Sequence, residues 1–123
     1  MSPAGSVNAS LICRSGLEDG SVEARTVEIH GVSESIIVHR DGNTLRAWLN
    51  TCPHQGRRLD YVPGRFLLDR GRLVCAAHGA CFELAEGRCV AGPCLGERLQ
   101  PIALVAVDED AWRVADPDGG AGA

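Results

Sequence analysis

Two short stretches carry the residues most suited to chemistry, Cys52-Pro53-His54-Gln55-Gly56 and Cys75-Ala76-Ala77-His78-Gly79. Each places a thiolate and an imidazole close enough together to reach the same metal centre. Two soft sulfurs and two nitrogens form the ligand set of a tetrahedral zinc. They also suit a 2Fe–2S cluster in which two His replace two Cys on one iron. In the iron case Cys52 and Cys75 take one iron, and His54 and His78 take the other. Gly56 and Gly79 each come soon after a ligand and let the backbone turn tightly around an inorganic core. Structural zinc usually takes a Cys-x₂₋₄-Cys knuckle and a separate His-x₃₋₅-His pair. Here each loop mixes the two residue types and the first spacing is a single residue, so the pattern favours iron and keeps a zinc module as its competitor.

Strands must bring the two loops together. Ser10 to Cys13 reads as a first strand, Gly16 to Gly20 as a turn, and Val22 to Ile29 as a half-buried strand with room for a bulge. Ser35 to Arg40 and Thr44 to Asn50 flank Asp41-Gly42-Asn43, a strong hairpin signal, and this hairpin delivers the chain to Cys52. A second hairpin, Arg65 to Leu68 and Arg72 to Val74 around Asp69-Arg70-Gly71, delivers it to Cys75 in the same way. A third joins Cys81 to Leu84 with Arg88 to Val90, and Gly92-Pro93 then marks a constrained loop. Ile102 to Val107 and Trp112 to Val114 read as a closing pair. No sustained helical period or internal repeat is present, so the expected fold is all-β, built of small antiparallel sheets. We expect one domain over residues 1–123, with a core at about 8–115 and a Gly/Ala/Asp/Pro tail at 116–123.

Composition narrows the function classes. The net charge of −4 argues against nucleic acid as the main partner. No apolar run approaches the ~20 residues needed to cross a bilayer, and the first residues lack the basic and apolar segments of a signal peptide. A reducing cytoplasm is the expected compartment, so the six Cys read as metal ligands or free thiols before disulfides. All twelve basic residues are Arg, and Arg57, Arg58, Arg65, Arg70 and Arg72 fall between the two loops. They form either a basic rim for an acidic partner or a solvated hairpin. The chain has no Ser-His-Asp set, phosphate loop or nucleotide fingerprint, and no catalytic residues are assigned.

At Cys52-Pro53-His54-Gln55-Gly56 and Cys75-Ala76-Ala77-His78-Gly79-Ala80 the sequence resembles the two cluster-binding boxes of Rieske 2Fe–2S proteins. Gly92-Pro93 stands where that family has a proline loop covering the cluster. The resemblance runs from about Trp48 to Val107 and fills all four ligand positions. It implies three stacked antiparallel sheets, one 2Fe–2S cluster held by Cys52, His54, Cys75 and His78, and single-electron transfer. Gly56, Gly79, Ala80, Phe82 and Pro93 would surround the ligands. The twenty residues from 55 to 74 exceed the separation common in small members, which implies a longer hairpin away from the iron.

Two departures from the family are informative. Respiratory and photosynthetic members have a second Cys in each box, joined as a disulfide, at positions filled here by Arg57 and Ala77. They also place Ser and Tyr hydroxyls where this chain has Ala80 and Phe82. Donors at sulfur stabilise the reduced cluster, so their loss implies a potential towards the lower end of the Rieske range of ≈ −150 to +300 mV. Such a carrier takes electrons from a reductase and passes them to an oxygenase. The alternatives are a small Rieske subunit of a larger oxidoreductase, such as a nitrite-reductase-like complex, and a zinc module. A whole Rieske oxygenase needs a further catalytic domain, for which this chain is too short. Cys89 and Cys94 are expected as approaching but free thiols, Cys81 as packing behind the second loop, and Cys13 as a buried strand residue. His30 and His39 are expected as ordinary histidines, and Trp48 and Trp112 as core.

Overall fold

In this computed structural model, residues 11–29, 31–53, 58–60, 62, 65–75 and 79–115 are described. The strands are β1 (Leu11–Cys13), β2 (Val22–Ile29), β3 (Val32–Asp41), β4 (Thr44–Leu49), β5 (Leu67–Asp69), β6 (Arg72–Cys75), β7 (Ala80–Glu83), β8 (Cys89–Ala91), β9 (Leu104–Ala106) and β10 (Ala111–Val114). They form three antiparallel sheets in the orders β1-β10-β9, β2-β3-β4 and β5-β6-β7-β8. Among the described residues no α-helix forms, and one 3₁₀ turn covers Arg14–Gly16. The expected all-β class is therefore observed.

Turn chemistry sets the hairpins. Asp41 pairs with Thr44 across a two-residue loop whose Gly42 has φ +61°. Asp69 pairs with Arg72 across Arg70-Gly71, where both residues have positive φ, 54° and 77°. Positive φ at both central positions matches the twist of the flanking strands, and Arg70 adopts it despite its Cβ.

The run Ile36-Ile37-Val38 is buried on both faces, each residue at 0% exposure. Ile36 and Val38 face a cluster of Ile12, Leu17, Val27, Leu45 and Ala47. Ile37 faces the opposite way, with Trp48, into a second cluster that holds Cys52, Leu59, Leu73, Cys75, Ala80, Phe82, Cys89, Cys94 and Leu99. A strand covered on both sides needs no polar alternation, which is why this segment reads as a continuous apolar run. Leu104, Trp112 and Val114 pack the β1-β10-β9 sheet against the first cluster.

Two local expectations are corrected. The β2–β3 register runs unbroken from Val22 opposite His39 to Ile29 opposite Val32, so the expected bulge is absent there. The irregularity lies instead between Cys81 and Phe82 on β7. Cys13 is exposed, not buried, because strand alternation turns its neighbour Ile12 inward. The expected tail at 116–123 and His30 lie outside the described residues.

Candidate metal centre

The first loop leaves the end of β4. Asn50 is buried at its root and ties three segments together. Its backbone N–H donates to the Ser35 carbonyl at 3.0 Å and its Nδ2 donates to Ser35 Oγ at 3.1 Å. Its Oδ1 accepts the Leu59 N–H at 2.9 Å, so one side chain joins β3 to the segment behind the loop. Arg58 and Asp60 add a bidentate pair at 2.9 and 2.7 Å, with the Asp60 side chain 1% exposed. Hydrogen bonding to Asp60 holds the Arg58 guanidinium above its ordinary pKa. Nothing in the sequence pattern singled out Asn50 or this pair. The available signal was a polar residue placed between a strand end and the candidate ligand loop.

The second loop leaves the end of β6. The Gly79 N–H donates to the Cys75 carbonyl at 2.7 Å, and Gly79 has φ +74°. Ala80 and Phe82 on β7 stand opposite Cys75 and Leu73 on β6, and all four are buried on one face. A third segment presses from the side. A Cβ at Gly92, where φ is +100°, would lie 2.7 Å from Ala80 Cα, a distance no side chain tolerates. Only glycine permits this approach, which sets Gly92 against the start of β7.

The structure thus brings Cys52 and Cys75 into one apolar cluster, at 0% and 1% exposure, and neither forms a disulfide. Ala80 and Phe82 line the same cluster, Gly79 immediately precedes β7, and Pro93 is exposed in the turn after β8. His54, Gly56 and His78 lie outside the described residues, and among the described residues no three Cys, His or acidic side chains form a metal-binding group. Two thiols converging in a dry setting, each from a loop that also encodes a His, fit the sulfur half of a 2Fe–2S cluster.

The other cysteines separate clearly. Cys94 and Cys89 are both buried, with the Cys94 thiol donating to Cys89 Sγ at 3.0 Å. Burial pushes the Cys94 pKa up to about 12, reinforced by Cys89, Cys52 and Glu97. Cys81 is half-buried, with its thiol 3.6 Å from the Gly79 carbonyl. His39 is buried, and its Nδ1 lies 3.1 Å from the Ser21 carbonyl, a satisfied histidine as expected. Trp48 is core and Trp112 is partly buried against the first cluster.

The Rieske [2Fe-2S] domain profile matches residues 11–110. The chain belongs to the Rieske family. Among curated relatives, apoptosis-inducing factor 3 from Mus musculus and from Homo sapiens are each 37% identical over 86 residues, 70% of this chain. That match spans only 13% of either relative's length. Among solved structures, the ferredoxin of carbazole 1,9a-dioxygenase from Nocardioides aromaticivorans IC177 aligns with a TM-score of 0.63 and 24% identity, covering 87% of this chain and 95% of that one. A putative nitrite reductase (NADPH) small-subunit protein aligns with a TM-score of 0.56 and 17% identity, covering 86% and 96%. At these identities the two structures establish a shared Rieske fold.

Proposed function

We propose that this Rieske chain is a single-electron carrier, holding one 2Fe–2S cluster on Cys52, His54, Cys75 and His78. The observation that carries the reading is the convergence of Cys52 and Cys75, from two separate hairpin ends, in one buried apolar cluster. When bound, the cluster supplies one-electron redox chemistry. The chain's own residues hold the loops, exclude water and set the electrostatics. Asn50 and the Arg58–Asp60 pair brace the first loop, while Gly79 and the Gly92 contact shape the second. Ala80 and Phe82 pack in the same buried cluster as Cys52 and Cys75 and carry no hydroxyl to donate, which favours a low potential.

A low-potential carrier suits electron delivery from a reductase to an oxygenase, and the ferredoxin of the carbazole dioxygenase supports that role by fold. Arg58, Arg65, Arg70 and Arg72 are all exposed and form the basic rim that an acidic redox partner would meet. A second reading is a Rieske component of a larger oxidoreductase. It is favoured by the shared fold of the nitrite reductase small subunit and by the small share of apoptosis-inducing factor 3 that this chain matches. Among the described residues no helix is long and apolar enough to cross a membrane.

The test is a potentiometric titration followed by EPR on anaerobically purified protein. A rhombic signal with lower average g than an all-cysteine cluster, at a midpoint in the lower part of the Rieske range, is expected. A clearly positive midpoint would overturn the argument from Ala80 and Phe82. Zinc on metal analysis with no EPR signal would overturn electron transfer altogether. Co-purification with a large catalytic chain separates the subunit reading from the free carrier.

A further inference from the structure

Cys89 opens β8 and Cys94 lies in the turn that follows it, with Gly92-Pro93 between them. Their sulfurs stand 3.0 Å apart, and the Cys89 thiol is 3.2 Å from the Ala91 carbonyl. Both residues are 1% exposed. The backbone around them is already closed. Cys89 N–H donates to the Glu97 carbonyl at 2.7 Å, and Gly96 N–H donates back to the Cys89 carbonyl at 3.2 Å. Leu95 N–H reaches the Gly92 carbonyl at 3.2 Å and Glu97 N–H the Cys94 carbonyl at 2.8 Å. A disulfide at about 2.05 Å therefore needs the sulfurs to close by only about 1 Å, which side-chain rotation supplies without rebuilding the chain.

The enclosed turn is the one that presses on the second candidate ligand loop. A Cβ at Gly92 would lie 3.1 Å from the Gly79 carbonyl as well as against Ala80. We propose that Cys89 and Cys94 form a redox-active dithiol whose closure to a disulfide staples the 92–97 turn to β8, with Gly92 beside the start of β7. The oxidant is a small-molecule disulfide. One protein thiolate attacks it, its S–S bond breaks, and one thiolate leaves as a protein mixed disulfide forms. The second cysteine attacks the protein sulfur of that intermediate and expels the remaining thiolate. The two protons lost by the cysteines go to the two leaving groups, so the protein loses two electrons and the oxidant gains them. Both sulfurs are buried, so exchange proceeds through opening of the turn, whose Leu95 is 67% exposed.

The proposal stands on the sulfur geometry and does not depend on the electron-carrier reading. The purified full chain, with its native metal content, is equilibrated anaerobically across ratios of reduced to oxidised dithiothreitol, quenched in acid, alkylated and cut with trypsin. Cleavage after Arg88 and Arg98 releases residues 89–98, which contain Cys89 and Cys94 and no other cysteine. The expected result is a peptide lighter by two hydrogens and unalkylated at the oxidising end, doubly alkylated at the reducing end, with one reversible two-electron transition. Amide exchange at Leu95 and Gly96 should slow on closure. Double alkylation across the whole series, or cross-linking to Cys13 or Cys81, overturns the dithiol. Unchanged amide exchange in the closed form overturns the staple. EPR and metal analysis of the same samples report separately on the cluster, so the two readings fail independently.

Discussion

Asn50 illustrates how much can rest on one side chain. Removing it by Asn50→Ala leaves the buried Leu59 N–H without its acceptor and cuts the side-chain link to Ser35 Oγ, while the backbone bond to the Ser35 carbonyl stays. A loss of about 1–3 kcal/mol in unfolding free energy is expected from denaturant melts, since an orphaned buried donor keeps its full desolvation cost. A loss below about 0.5 kcal/mol, the level of an ordinary surface change, would mean water replaces the amide. Phe82 and Ala80 allow a second test at this scale, because both face the cluster of buried side chains that contains Cys52 and Cys75. Phe82→Tyr and Ala80→Ser each restore a hydroxyl, and each should raise the midpoint potential measured by EPR titration, since a donor at sulfur favours the reduced state. An intact signal at an unchanged midpoint would place those hydroxyls out of reach of the sulfurs.

Among the elements, the turn from β7 to β8 carries a charge that matters to stability. Glu83 Oε1 accepts N–H groups from Glu86 at 2.6 Å and Arg88 at 3.2 Å. Burial works to raise its pKa, but the N–H groups of Glu86, Arg88 and Gly87 and the charge of Arg88 outweigh it, and the pKa lies below its ordinary 4.5. A carboxyl whose folded pKa is depressed stabilises the fold above its unfolded pKa and loses that contribution as pH falls through the folded value. Thermal melts should therefore show stability falling below about pH 4.5, with a shallower fall in Glu83→Gln. The same acid slope in both proteins would assign the loss to other carboxyls. This turn is also packed tightly, since a Cβ at Gly87 would lie 2.5 Å from Trp48 Nε1.

Across the whole molecule, charge is distributed unevenly. The chain is acidic overall at −4, yet Arg58, Arg65, Arg70 and Arg72 cluster on the exposed connection between the two loops. On the same connection Val62, Leu67 and Leu68 are exposed apolar groups. An acidic redox partner steered to this rim should react more slowly as salt rises, because exposed charges are screened beyond about 8–10 Å at physiological ionic strength. Stopped-flow electron transfer should slow several-fold between low and physiological salt, and Arg70→Glu or Arg72→Glu should flatten that dependence. A rate indifferent to salt would leave this surface as a solvated hairpin.

Much of the architecture was legible locally. Asp41-Gly42 and Arg70-Gly71 are turns whose backbone demands sit in one or two residues, so the hairpins leading to Cys52 and Cys75 could be read before any contact was known. The two Cys/His boxes were legible for the same reason, because ligand types and spacing are properties of short segments. Other features depend on residues distant in sequence. The division of Ile36, Ile37 and Val38 between two cores needed both neighbouring layers, and a continuous apolar run is silent on which face meets which layer. Cys13 looked like a core residue and is exposed, because strand phase, not residue type, decides the face. Asn50 bridging Ser35 and Leu59, Gly87 beneath Trp48 and Gly92 against Ala80 emerged only in three dimensions. The sequence by itself determined the turns and the candidate ligand chemistry, since both are local. The tertiary structure decided what braces the loops and which sulfurs meet, because those contacts exist only after distant strands have paired.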